Sequence, residues 1–182
     1  AGYTPEQTVE LINLFITCGD QLVKKHGGTI DKIIDNTLML VFRENEEKAD
    51  SHALRAARTA LELAEEMRRH NLDIYAGIAS GTVISGRIGS YTGKLDFTVI
   101  GDQVNLAARL KNEALESSSG LIISGSTMRL LKGKGRVNFL RRCSLKGKAR
   151  EYNIYELYEL RDAAWLVWVL IAYLRSEVKR RQ

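Results

Sequence analysis

Across Gly101-Asp102 the side-chain period of this chain changes. The run before it, Asp96-Phe97-Thr98-Val99-Ile100, is aromatic and β-branched, as in a strand from Leu95 to Ile100, whereas Gln103 to Glu116 spaces its apolar residues as a helix does. A strand that feeds a helix through a glycine turn confines the chain to mixed α and β architectures. The junction also bears on chemistry. Asn105 and Arg109 stand four residues apart, so on a helix they share a face and can converge on one ligand.

The flanking sequence supplies further elements. Pro5 to His26 carries Val9, Ile12, Phe15, Ile16, Leu22 and Val23 at mostly helical spacing and stops at Gly27-Gly28. Thr29 to Ile34 and Thr37 to Phe42 read as strands joined by a tight turn at Asp35-Asn36. Ala49 to His70 reads as an amphipathic helix, with Ala53, Leu54, Ala57, Leu61 and Met67 on one face, Arg and Glu on the other, and Asp50 as N-cap. Strands are expected over Asp73 to Ser80, Gly81 to Gly86 and Leu121 to Ser124, a short helix over Gly125 to Leu131, and short strands from there to Leu160. Helices alternating with strands and adjacent hairpins predict an α+β fold, its sheet covered by helices on one face, rather than an all-parallel sheet.

At 182 residues, 45% hydrophobic and 27% charged, the chain has enough apolar surface for one domain with a real core, which argues against disorder. A net charge of +5 suits nucleic acid, anionic lipid or a phosphorylated small molecule. The basic residues are dispersed and no aromatic-interleaved RNA-binding motif occurs, so a nucleic-acid partner is not expected. Cys18 and Cys143 give no disulfide framework or metal knuckle, which fits a reducing, cytoplasmic setting. Signal-peptide anatomy is missing at the N-terminus, and a start at Ala1 suggests a piece of a longer, multidomain or membrane-attached protein. Ala163 to Leu174 is apolar before the basic Lys179-Arg180-Arg181, yet twelve residues fall short of the roughly 20 a membrane-spanning helix needs. A buried helix, a buried strand and an interfacial membrane anchor all stay open for it.

The fifteen residues from Asp96 to Leu110 resemble the signature of class III adenylate and guanylate cyclases. His26-Gly27-Gly28-Thr29-Ile30-Asp31-Lys32 is similar to the entry of that family's metal-binding hairpin, His52-Ala53-Leu54-Arg55-Ala56-Ala57 to its second helix, and Leu145-Lys146-Gly147-Lys148 to its closing lysine loop. The resemblance implies a ferredoxin-like palm of βαββαβ type, with helices packed on a mostly antiparallel sheet. Residues 1–160 would form this cyclase homology domain, with its first strand missing, and 161–182 an apolar and basic extension.

Carried over residue by residue, the resemblance assigns Lys32 and Thr98 to the purine edge. Lysine donates to a ring nitrogen and threonine accepts from an exocyclic amine, so ATP is expected over GTP. Asp96 joins them among the substrate-binding residues. Asn105 would orient the ribose, Arg109 would stabilise charge on the α-phosphate, and Lys146 and Lys148 would neutralise the terminal phosphates. The family binds two Mg²⁺ or Mn²⁺ ions through two aspartates. Aligned through Lys32, one of those positions is the uncharged Asn36; Asp35 is the neighbouring carboxylate that could take the role through a different turn. Two readings follow: an ATP-cyclising enzyme working as a homodimer with an impaired metal site, or a catalytically silent nucleotide-binding or dimerisation module.

Overall fold

The computed structural model describes residues 3–45, 47, 49–90, 92–93, 95–144 and 151–161. Helix α1 (Pro5–Lys25) opens on Thr4, whose hydroxyl accepts from the Gln7 N–H while the Gln7 side chain accepts from the Thr4 N–H, a reciprocal cap with Pro5 in the first turn. Strands β1 (Thr29–Ile34) and β2 (Thr37–Val41) pair antiparallel across a two-residue turn. Asp35 occupies that turn at φ +51°, a left-handed conformation that Asp tolerates better than most residues. Helix α2 (His52–Arg69) follows, then β3 (Ala76–Ile78), the hairpin β4 (Ile84–Gly89) and β5 (Leu95–Ile100), and α3 (Asp102–Ala114). The chain continues through β6 (Leu121–Ser124), α4 (Gly125–Leu130), β7 (Gly135–Ser144) and β8 (Glu151–Leu160).

The strands form three pieces. β1 and β2 make one ribbon, β4 and β5 another, and the remaining four lie in the order β3-β6-β8-β7, with β3 parallel to β6 and the other pairs antiparallel. Strand β6 is buried along its whole length, and its alternating side chains divide the core. Leu121 and Ile123 pack with Leu157 against Ala53, Leu54 and Ala57 of α2. Ile122 points the other way and packs with Ile154 and Cys143 against Leu106, Leu110 and Ala114 of α3. Helices therefore cover both faces of the four-stranded sheet, not one, because the Leu-Ile-Ile run of β6 buries both sides of the strand.

Several expected boundaries shift. Ser51, not Asp50, caps α2: its hydroxyl accepts from Leu54 N–H and donates to the Leu130 carbonyl. Asp50 instead bonds Arg58 at 2.6 Å. The segment expected as a strand from Asp73 is extended only over Ala76–Ile78, and the strand expected over Gly81 to Gly86 runs from Ile84 to Gly89. The short strands expected before Leu160 are two ten-residue strands, β7 and β8. Arg55, expected on the polar face of its helix, is buried. Cys18 and Cys143 are both free thiols. Among the described residues no helix is long and apolar enough to cross a membrane, and the apolar tail lies outside them.

Candidate active site

Strand β1 departs from regular pairing where the candidate site begins. Ile30 faces Leu40, but the next pair is Lys32 with Met39, which leaves Asp31 as the extra residue of a bulge. A bulge bends its strand and re-aims side chains. The Asp31 carboxylate meets β5, where it accepts a hydrogen bond from the Thr98 hydroxyl at 2.6 Å. A second tie joins the same two ribbons, from the Arg43 guanidinium just beyond β2 to the Ser85 hydroxyl of β4 at 3.2 Å. Lys32 is half-buried beside Asp31, and no ion pair among the described residues claims its ammonium.

Thr98 itself is only 4% exposed. Its cross-strand partner is Gly86, where an added Cβ would meet nothing within 4 Å, so the space beside the threonine is open on that side. Asp96, two residues earlier on β5, is half-buried and pairs across the ribbon with Ile88. The ribbon also carries exposed apolar side chains at Ile84, Phe97 and Ile100.

Gly101 ends β5 at φ +148° and precedes α3 directly, a backbone conformation that a side chain would strain. From there the helix phase is set by its fully buried stripe of Leu106, Leu110 and Ala114. That stripe leaves Asn105 exposed and Arg109 half-exposed, one turn apart. Arg109 lies 3.8 Å from the Glu113 carboxylate, which is also paired with Arg141. Beneath α3, Gly77 of β3 lets the two backbones touch: a Cβ there would stand 2.2 Å from the Ala107 carbonyl oxygen.

The structure thus brings Thr98 to the neighbour of Lys32 and holds Asn105 and Arg109 on the helix that follows. Asp35 and Asn36 sit exposed in the β1–β2 turn. Among the described residues, no three His, Cys, Asp or Glu side chains are grouped closely enough to hold a metal ion. Lys146 and Lys148 lie outside the described residues. A cavity of about 390 Å³ bounded by Arg68, Asp73, Ser118 and Tyr158 shares no residue with this site. The residues that sequence reasoning missed are Asp31, as the partner of Thr98, and Glu113, as the partner of Arg109. The second pair was open to detection from its i, i+4 spacing, whereas nothing in the residue pattern announces a bulge.

An adenylate cyclase of Anabaena cylindrica is 27% identical over 174 residues, covering 86% of this chain. The chain spans 34% of that relative's length, and 25% and 8% of two further adenylate cyclases that it matches. The crystal structure of the adenylyl cyclase CyaB from P. aeruginosa superposes with a TM-score of 0.76 at 27% identity, covering 87% of this chain and 86% of that one. The guanylate cyclase domain of RhGC from Catenaria anguillulae, solved in complex with GTP, follows at a TM-score of 0.70 and 26% identity, with coverage of 88% and 87%. Solved structures of both adenylate and guanylate cyclases are thus matched. The profile of the adenylate and guanylate cyclase catalytic domain matches residues 1–159, and with a fold and a strand–glycine–helix junction of the same kind this chain belongs to that family.

Proposed function

We propose that residues 1–160 are the catalytic domain of an adenylate cyclase, acting on ATP at the interface of a homodimer, with a weakened metal site. The observation that supports this most directly is the hydrogen bond from Thr98 to Asp31, which sets a purine-reading hydroxyl next to Lys32. Adenine offers an acceptor at its first ring nitrogen and a donor at its 6-amino group. Lys32 and Thr98 answer each in turn, whereas guanine presents a donor and a carbonyl at the same places. In the reaction the ribose 3′-hydroxyl oxygen attacks the α-phosphorus. A P–O bond forms to that oxygen, the bond to the bridging oxygen of pyrophosphate breaks, and the hydroxyl proton is lost. Arg109 stabilises the charge gathering on the α-phosphoryl oxygens and Asn105 orients the ribose.

Lys32 and Thr98 lie on the two ribbons, Asn105 and Arg109 on α3, and a head-to-tail pair of chains lets one nucleotide use the first set from one copy and the second set from the other. The family generally works with Mg²⁺ or Mn²⁺, which would neutralise the phosphates and activate the 3′-hydroxyl. At the position the resemblance gives to one of the two metal-binding aspartates stands the uncharged Asn36, with Asp35 beside it in the β1–β2 turn. That feature favours the second reading, a silent nucleotide-binding or dimerisation module. Of the sequence beyond residue 160, the apolar and basic residues are the part suited to a membrane contact, and an ATP substrate suits a cytoplasmic domain.

A cyclase assay with Mn²⁺ and ATP, run on the chain and on Asn36→Asp, tests the reading. The chain itself turns over slowly and Asn36→Asp raises the rate at least about tenfold, since a carboxylate facing divalent cations is worth several kcal/mol. Adding Arg109→Ala to the Asn36→Asp variant lowers its rate by about 10² to 10³. No cyclic nucleotide from either chain establishes the silent module; a fast, metal-dependent reaction by the unmodified chain overturns the weakened site.

A further inference from the structure

We propose that Asp31 is a positioning residue for base selection: by holding the Thr98 hydroxyl proton it leaves that hydroxyl only its acceptor side toward a ligand. This rests on the placement of Thr98 at the purine edge proposed above. A threonine hydroxyl carries one donor and two lone pairs and ordinarily rotates to suit either kind of partner. A threonine alone therefore discriminates poorly between an amine and a carbonyl at the purine 6-position. An ionised carboxylate only accepts. At 2.6 Å the Asp31 oxygen accepts the Thr98 hydroxyl proton and fixes the rotor.

The bulge in β1 makes this contact. In an unbulged pair Asp31 would face Met39 across the ribbon; the extra residue frees it from the register and turns it to β5. The open side of Thr98 is the one next to Gly86. A 6-amino group arriving there meets a lone pair, and a 6-carbonyl meets lone pair against lone pair. The family resemblance assigns Lys32 and Thr98 to the base-reading pair. The geometry adds Asp31 as the residue that gives Thr98 its polarity.

Equilibrium dialysis of ATP and GTP against the chain, Asp31→Asn, Thr98→Val and the double variant tests this. In Asp31→Asn the amide can donate as well as accept, so the hydroxyl can turn. The ATP-to-GTP affinity ratio then falls at least about fivefold, chiefly through tighter GTP binding, because a mispaired hydrogen bond is relieved. In the Thr98→Val background the Asp31 change leaves the ratio where Thr98→Val alone puts it. Equal loss of both affinities, or an unchanged ratio in Asp31→Asn, overturns the inference while leaving the adenine reading intact, as does a further fall in the double variant. A parent chain that binds the two nucleotides equally overturns the adenine reading, and this inference with it. Thermal unfolding accompanies each variant, and Asp31→Leu, of similar size and without polar atoms, replaces Asp31→Asn if the amide does not fold.

Discussion

Arg55 is 3% exposed, and its guanidinium donates to three backbone carbonyls, those of His26, Gly27 and Arg43. Those carbonyls belong to the loop after α1 and to the residues just beyond β2, so one side chain of α2 fastens both strands of the β1–β2 ribbon at its open end. Arg55→Met is expected to lower stability by about 1–3 kcal/mol, because it leaves three part-buried carbonyls without this donor, and urea unfolding measures it. Burial of this arginine was not legible in the sequence. Its neighbours Ala53, Leu54 and Ala57 mark the apolar face, and a charge beside them is ordinarily solvated. Glu156 poses the same problem with the opposite sign. Burial alone would raise its carboxyl, but the Tyr158 hydroxyl, the Ser119 N–H and the Ser118 hydroxyl outweigh that and hold it below its ordinary 4.5. A lowered value in the fold means a contribution to stability that is complete above about pH 4.5 and lost as pH falls through the folded value. The gap in melting temperature between the chain and Glu156→Gln therefore narrows from pH 7 toward pH 3; a gap that is constant across that range would contradict the assignment.

Elements were legible where one pattern dominated. The strand Leu95–Ile100 and the strand Leu121–Ser124 fall where their β-branched runs predict, and α1 ends at the glycine pair that marks its stop. The failures have physical causes. Strands β7 and β8 carry Arg, Asn and Glu on their exposed faces, so Arg136, Arg141 and Glu159 mask an alternation that pairing over ten residues restores. The cap of α2 went to Ser51 because Asp50 has stronger partners in Arg58 and Lys134. The junction of β3 with α3 depends on Gly77, and the sequence offers only a glycine in a strand, which is as often a bulge as a close approach. With backbone atoms 2.2 and 2.3 Å from an added Cβ, Gly77→Ala has to push α3 away. A loss of about 1–3 kcal/mol is expected, and because α3 carries Asn105 and Arg109, nucleotide affinity falls with it. Loss of stability with affinity unchanged would show that α3 does not position the ligand.

At the scale of the molecule, Ile84, Phe97 and Ile100 are 69%, 61% and 46% exposed on one small ribbon, a concentration of apolar surface that suits burial against another chain. Sedimentation at high micromolar concentration with nucleotide present should show a dimer, and Phe97→Asp should weaken it by about tenfold or more; monomer alone would remove the shared site. The fold class was readable because the signals for it are spread over the whole chain. The site was readable only in part, since Lys32, Thr98, Asn105 and Arg109 are named by motif while their relative placement depends on ribbon contacts. Those contacts have a kinetic corollary. The β1–β2 and β4–β5 ribbons belong to different sheets and are tied side chain to side chain by Asp31 with Thr98 and Arg43 with Ser85. A nucleotide that engages Lys32 and Thr98 together bridges the same seam, so its release and the parting of the ribbons become linked equilibria. At a hundredfold excess over its dissociation constant such a ligand adds about 2.7 kcal/mol to the work of opening, and amide hydrogens of β1 and β2 that exchange through that opening should slow by roughly two orders of magnitude when ATP is bound.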